Sequence, residues 1–214
     1  MKKILIIFAL AAGLCGCSGW TEPQAKDIHS ELSGPSSGYL QDLRAFKERD
    51  HKTVIVGMNA CADVPTGRFQ HPASIPDSVD VIYLRNLKDG LHPSLVSEIA
   101  SLRADKATKV LADVDFISIA DEWDALQEAN ESNGEPAGTE EEFRTFLENG
   151  FRKQLECCER YGLDGIMLSY NGSSSVFSIT GRAAFVNTAL DWLGKHQDKT
   201  VYVRGILSVL SRAS

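Results

Sequence analysis

The chain has 214 residues, a formal net charge of −7 at neutral pH and 43% hydrophobic residues. This length and apolar content are enough for one globular domain with a buried core. The acidic balance, with no cluster of Lys and Arg, argues against nucleic acid as a partner, because binding to the phosphate backbone needs clustered positive charge.

The first 17 residues have the features of a secretory signal. Lys2 and Lys3 precede an apolar run at 4–14, which is too short to span a membrane as a helix. The run ends in Leu-Cys-Gly-Cys, which resembles a bacterial lipobox with Cys17 as the lipidated first residue of the mature protein. This resemblance implies outer-membrane sorting, since Ser18 rather than Asp follows the cysteine. An ordinary secretory signal with an unmodified Cys17 is the alternative.

Residues 18–38 are polar and contain Pro, Ser and Gly, which is typical of a tether. The piece WTEPQAKD is similar to the opening of Bacteroidetes surface lipoproteins. We therefore expect a lipoprotein signal peptide at 1–17, a tether at 18–38 and a folded domain at 39–214. The remaining cysteines lack the CxxC and His spacing of a zinc site, so we expect neither a metal nor a cofactor.

Strand and helix patterns alternate along the domain. The predicted strands are 53–59, 79–86, 109–119, 163–170 and 200–207, and the predicted helices are 39–50, 93–104, 139–162 and 181–196. This alternation predicts an α/β fold with a parallel sheet. Residues 120–138 are expected to form a long loop, or a short helix and a loop. In the last helix, Phe185, Ala189, Leu190 and Leu193 are expected to face inward.

Polar residues occur where the predicted strands end, and this edge holds the chemistry in βα folds. Asn59 ends the first strand, and Asp113 and Asp115 stand two apart on the third. We expect Asn59 and Asp115 to contact a ligand and Asp113 to be structural. Trp123 either stacks on the ligand or packs on the flank of the domain.

The stretch YGLDGIMLSYNG, 161–172, resembles the end of the fourth barrel strand in glycoside hydrolase family 18, where the pattern is D-G-x-D-x-D-x-E. Asp164 and Gly165 match its first two positions. The next three acidic positions fall on Met167, Ser169 and Asn171, so all three carboxylates are absent. The third predicted strand also lacks the family's S-x-G-G pattern.

The resemblance implies a (β/α)8 barrel of the TIM type, which needs about 250 residues and eight strands. Only five strands are predicted here, so we expect a truncated barrel that contains the first five. An open, doubly wound sheet of five strands is the alternative.

In family 18 the substrate's N-acetyl group attacks, a Glu protonates the leaving oxygen and an Asp orients the acetamide. Asn171 stands at the Glu position and its amide has no titratable proton. The resemblance therefore implies a chain without catalytic residues that binds a glycan. The expected contacts are Asn59, Asp115, Trp123, Ser169 and Asn171. The alternatives are that Met167 and Ser169 are core residues of the barrel and that Asn171 is a turn residue.

The expected function is binding of N-acetylglucosamine-containing glycans by a lipoprotein on the cell surface. The expected partners are the glycan, the outer membrane through the lipid on Cys17, and glycan-uptake proteins. Two alternatives stay open. The chain is an active endo-β-N-acetylglucosaminidase or chitinase whose acid comes from elsewhere, such as Asp115, or it is a fragment without function.

Overall fold

The computed structural model describes residues 35–171 and 177–205. The predicted signal peptide with Cys17, and most of the predicted tether, lie outside these residues. Contacts within the chain divide it into Met1–Tyr39 and Leu40–Ser214, and the sheet belongs to the second unit. None of the helices in the described ranges is long and apolar enough to cross a membrane.

The elements alternate as the sequence predicts. The strands are β1 (Ile55–Asn59), β2 (Val81–Arg85), β3 (Lys109–Asp115), β4 (Gly165–Tyr170) and β5 (Thr200–Gly205). The helices are α1 (Ser37–Glu48), α2 (Pro93–Lys106), α3 (Phe116–Ser132), α4 (Glu140–Arg160) and α5 (Ser178–Lys195). Short 3-10 turns occur at Arg68–Gln70, Pro72–Ser74 and Leu87–Asp89.

The five described strands form one parallel sheet in the order β1-β2-β3-β4-β5. Each neighbour in the sheet is therefore also the next strand in the chain, with helices between most pairs. This arrangement is that of a partial TIM barrel, and it confirms the predicted fold class. Within the described residues β1 and β5 each pair on one side only.

The strand register separates the side chains into two faces. The inner face carries Val81, Leu111 and Met167, which form a small apolar cluster with Tyr83 and Tyr202. The outer face belongs to the large core that packs against the helices, and its fully buried residues include Ile82, Val110 and Ile166. Because parallel strands are covered on both faces, they are almost continuously apolar in sequence.

Aromatic side chains fill the core between β4 and the helices. The ring of Phe116 lies 4.9 Å from that of Tyr170, and the ring of Phe151 lies 5.0 Å from that of Phe185, both edge to face. These four residues come from α3, α4, α5 and β4, so their packing fixes the helices on the sheet.

Two expectations about α3 and α5 are wrong. The third strand ends at Asp115 rather than residue 119, and residues 116–132, expected partly as loop, form the helix α3. The reason is that the Asp115 side chain accepts a hydrogen bond from the backbone N–H of Ile117 and so caps the helix. Leu190, expected to face inward, is 59% exposed because it lies on the solvent side of α5.

Candidate functional site

A cavity of about 280 Å³ opens at the carboxyl ends of β1, β2 and β3. It is lined by Asn59 from the end of β1, by Arg85, Asn86, Leu87 and Lys88 from the end of β2 and the turn after it, by Asp113, Asp115 and Ser118 from β3 and the start of α3, and by Gln154 from α4. All of these side chains except Leu87 are polar or charged, and such a lining suits a polar ligand rather than an apolar one.

The turn after β2 forms part of the wall of the cavity. Asn86 adopts the left-handed conformation, with φ 56° and ψ 26°, which Asn tolerates better than most residues. The turn then continues as a 3-10 helix. Lys88 forms ion pairs with Asp89 and with Glu122 of α3, both at 3.1 Å, so its ammonium group is already neutralised.

Asp115 and Gln154 are held together at the floor of the cavity. The Gln154 side-chain oxygen accepts the backbone N–H of Asp115 at 3.0 Å, and its amide donates to Ser118 Oγ at 3.0 Å. Burial raises the pKa of Asp115, and the hydrogen bond from Ile117 opposes that shift. Asp115 therefore has a structural role as a helix cap besides its place in the lining.

Asp113, Ser169 and Arg204 form a network across β3, β4 and β5. Ser169 Oγ donates to Asp113 Oδ1 at 2.5 Å, and Arg204 Nε donates to Ser169 Oγ at 3.1 Å. Arg204 Nη2 stays 3.9 Å from Asp113 Oδ2, which is beyond a hydrogen bond. No described protein group donates to that buried oxygen.

Asp113 is the most perturbed acid of the site. Burial raises its pKa to about 6, the hydrogen bond from Ser169 and the charges of Arg204 and Arg85 act in the opposite direction, and the neighbouring charge of Asp115 adds to the increase. A carboxyl group that exchanges its proton near neutral pH is a candidate for function.

The three positions on and after β4 at which the family pattern has lost its carboxylates, 167, 169 and 171, have different surroundings. Ser169 is fully buried, is absent from the cavity lining and donates its hydroxyl to Asp113, so the expectation that it contacts a ligand directly is replaced by a supporting role. Met167 is 3% exposed and belongs to the inner apolar cluster, which fits the core alternative. Asn171 is exposed just after the end of β4, outside the lining of the cavity.

Asp164 and Gly165 lie at the opposite, amino end of β4. Arg103 of α2 donates to Asp164 Oδ1 through Nε at 3.0 Å and Nη2 at 2.6 Å, and the backbone N–H of Val110 donates to Oδ2 at 2.8 Å. A Cβ atom at Gly165 would lie 1.8 Å from the carbonyl oxygen of Thr200 on β5. Asp164 and Gly165, the two positions that match the family pattern, therefore have structural roles.

Trp123 lies in the core and not in the cavity. It is 7% exposed, and its ring packs edge to face on those of Phe143 and Phe146, each at 5.5 Å. We therefore replace the expectation that Trp123 stacks on a sugar with a packing role between α3 and α4. Among the predicted contacts, the cavity brings together Asn59 and Asp115.

The cysteines have no bond to one another in the described part of the chain. Cys61, Cys157 and Cys158 are free thiols, and burial raises the pKa of Cys158 to about 11. Over residues 35–171 and 177–205, no group of three or more His, Cys, Asp and Glu side chains is placed to hold a metal ion.

Sequence reasoning missed Gln154 in the lining. The signal was present, because Gln154 lies on the same helix face as the buried residues Phe151 and Leu155, where a polar side chain needs a partner. Arg85 and Asn86 also belong to the lining, and their position at the end of the second predicted strand is the sequence signal for them.

The fold resembles that of solved structures of which this chain covers 49% to 57%. A selenomethionine form of a BT1044 variant is 16% identical with a TM-score of 0.50, and the match covers 82% of this chain and 57% of that one. The endo-beta-N-acetylglucosaminidase from Cordyceps militaris in its apo form is 15% identical with a TM-score of 0.46, covering 72% of this chain and 49% of that one. A mutant of the Cordyceps militaris enzyme in complex with fucosyl-N-acetylglucosamine-Asn gives the same values.

The matched structures thus extend well beyond this chain, which spans about half their length. A comparison with curated proteins finds no match. The profile of glycoside hydrolase family 18, BT1044-like, matches residues 18–206. That match includes the sheet, the cavity and the degenerate pattern on β4. The chain therefore belongs to the BT1044-like group of glycoside hydrolase family 18.

Proposed function

We propose that this protein binds N-acetylglucosamine-containing glycans in the cavity at the carboxyl ends of β1 to β3, without hydrolysing them. Family membership supports a function related to glycans. The observation that carries the proposal is Asn171: an amide stands where the pattern of the family has its proton donor, and an amide has no proton to give near neutral pH. Asn59, Arg85 and Asp115 supply polar contacts. Asn171 lies outside this lining and contacts only a ligand that extends over the end of β4.

Calorimetry with a chitobiose-containing glycopeptide tests binding. We expect heat of binding for the wild type and at least a fivefold weaker affinity for Asn59→Ala, because a lost hydrogen bond to a ligand costs roughly 1 kcal/mol. Asn187→Ala is the matched control, since Asn187 is exposed on α5 away from the cavity. An absence of heat at millimolar ligand contradicts the proposal and favours a fragment without function.

Hydrolysis is the second candidate, and Asp113 is the observation that favours it. An acid with a pKa of about 6 in the cavity has the protonation behaviour of a general acid. Mass spectrometry of a high-mannose glycopeptide after incubation separates the two functions. We expect no cleavage by the wild type. If the wild type cleaves the glycopeptide and Asp113→Asn or Asp115→Ala abolishes the cleavage, the binding function is contradicted.

We propose further that the protein is held at the cell surface in the outer membrane by a lipid on Cys17 and passes its glycan to uptake proteins there. The lipobox-like sequence supports this anchor. Metabolic labelling with radioactive palmitate tests it: we expect label in the wild type and none in Cys17→Ser. Equal labelling of both forms contradicts lipidation at this residue.

A further inference from the structure

Asp113 is almost fully buried, yet only one of its two carboxylate oxygens accepts a hydrogen bond from a described protein group. Its side chain is 1% exposed, Ser169 satisfies Oδ1, and Oδ2 has no donor among the described protein groups. A buried carboxylate oxygen without a partner loses its hydration without compensation, which destabilises the folded state. Such exceptions call for an explanation, and the position of Asp113 in the cavity lining supplies one.

Arg204 lies close to Oδ2, but its guanidinium group makes contacts with other residues. Its Nε donates to Ser169 Oγ at 3.1 Å, and its guanidinium carbon lies 5.2 Å from the centre of the Tyr83 ring. These two contacts hold Nη2 at 3.9 Å from Oδ2. A direct hydrogen bond therefore requires the guanidinium to move from its present position.

We infer that Asp113 is the specificity-determining residue of the cavity and that its Oδ2 accepts a hydrogen bond from a neutral donor of the ligand, a sugar hydroxyl or amide N–H. Ser169 and Arg204 are positioning residues for this contact. The inference rests on the proposed function, because it assigns to the same cavity the contact by which a sugar is recognised.

The charges around Asp113 favour a neutral donor. The charged and polar groups that face it are Arg85 on β2, Asp115 on β3, Ser169 on β4 and Arg204 on β5. With both acids ionised, the two carboxylates and the two arginines give this cluster no net charge, so it offers no net attraction to a charged group of the ligand. A neutral donor such as a hydroxyl or amide N–H needs no such attraction, and sugars carry several of these groups.

Calorimetry with N,N′-diacetylchitobiose at pH 7.5 tests the inference on wild type and Asp113→Asn. Ser169 still donates to the remaining oxygen of the substituted side chain, so an NH₂ group then points a donor at the donor of the ligand. We expect roughly a tenfold or greater loss of affinity, since hydrogen bonds to charged groups are the stronger ones. Asp124→Asn, an exposed position on α3, is the matched control and keeps wild-type affinity.

The pH profile distinguishes a ligand contact from a structural role. Because burial raises the pKa of Asp113 to about 6, its acceptor form falls to roughly a tenth of the molecules at pH 5. We expect wild-type affinity to fall several-fold from pH 7.5 to pH 5.0 and Asp113→Asn to show a flat profile. If wild type and Asp113→Asn bind the ligand with equal affinity, or show the same pH profile, the inference is overturned and the binding function stays intact. A wild type that binds nothing overturns both.

Discussion

The guanidinium of Arg204 on β5 lies over the ring of Tyr83 on β2, with its central carbon 5.2 Å from the ring centre. These two strands are three positions apart, about 14 Å in a flat sheet. Their side chains meet because the sheet curls towards its inner face, as it does in a barrel. The contact therefore holds the curvature that brings the strand ends around the cavity.

Replacing Arg204 by Ala removes the cation–π contact with Tyr83 and the hydrogen bond to Ser169. We expect the free energy of unfolding in urea to fall by about 1 kcal/mol. Since the positive charge of Arg204 lowers the pKa of Asp113, the pKa of Asp113 should rise further, which NMR of its carboxyl carbon measures. Tyr83→Phe keeps the ring and should change neither quantity; an unchanged pKa of Asp113 in Arg204→Ala would refute this assignment.

Asp113 should make the protein less stable at neutral pH than at pH 4. Its pKa is raised from 3.8 to about 6, so between these values the folded state binds more protons than the unfolded state. The free energy of unfolding therefore falls as pH rises through this window. Asp113→Asn removes this dependence and should be more stable than wild type at pH 7.5, by at most about 3 kcal/mol.

Urea unfolding at pH 4.0 and pH 7.5 measures this effect, with Asp124→Asn as the exposed control. The stability gain of Asp113→Asn should largely disappear at pH 4.0, where the wild-type carboxyl group is protonated. A variant that is less stable than wild type at pH 7.5 would show that Asp113 stabilises the fold. A gain in stability together with a loss of ligand affinity is the expected signature of a functional residue.

Arg103 should contribute to stability and not to ligand binding. It donates twice to Asp164 and once to the carbonyl oxygen of Gly162 at 2.8 Å, at the amino end of β4. Arg103→Ala should lower the free energy of unfolding by about 1 to 3 kcal/mol, because these are hydrogen bonds of a charged donor. Arg144→Ala breaks an exposed ion pair with Glu141 and should leave the free energy of unfolding nearly unchanged, because solvent screens such pairs. A weaker ligand affinity in Arg103→Ala would contradict this separation.

Gly165 should not accept any side chain. The clash of a Cβ atom with the Thr200 carbonyl oxygen would force β4 and β5 apart, so Gly165→Ala should lose more than about 3 kcal/mol of stability. Gly194→Ala is the control, because no atom lies within 4 Å of a Cβ at this position near the end of α5. The control should gain about 0.5 to 1 kcal/mol from helix propensity. Comparable melting temperatures for the two variants would contradict the predicted clash.

The fold was largely predictable from the sequence because each element carries its own signal. The β-branched runs and the apolar spacing of the helices give five strands in order, and Thr139 with Glu142 forms the capping box that begins α4. The boundary between β3 and α3 was not predictable from apolar spacing, because the apolar run continues past Asp115 and only its capping hydrogen bond shows where the strand ends.

The site was predictable only in part. Asn59 and Asp115 are at strand ends, so the rule for parallel sheets finds them. Whether Ser169 faces a ligand or a neighbour depends on Asp113, a residue 56 positions earlier in the chain, and sequence spacing within one strand carries no information about such a partner. Trp123 was equally compatible with a surface and a core position until the rings of Phe143 and Phe146 were located beside it.

The Asp-Gly pair at residues 164 and 165 stabilises the start of β4 whatever happens at the far end of that strand. Loss of enzymatic turnover would therefore place no pressure on this dipeptide to change. A search that relies on this dipeptide alone will retrieve chains with and without the carboxylates of the pattern, and the residues three, five and seven positions beyond Asp164 separate them.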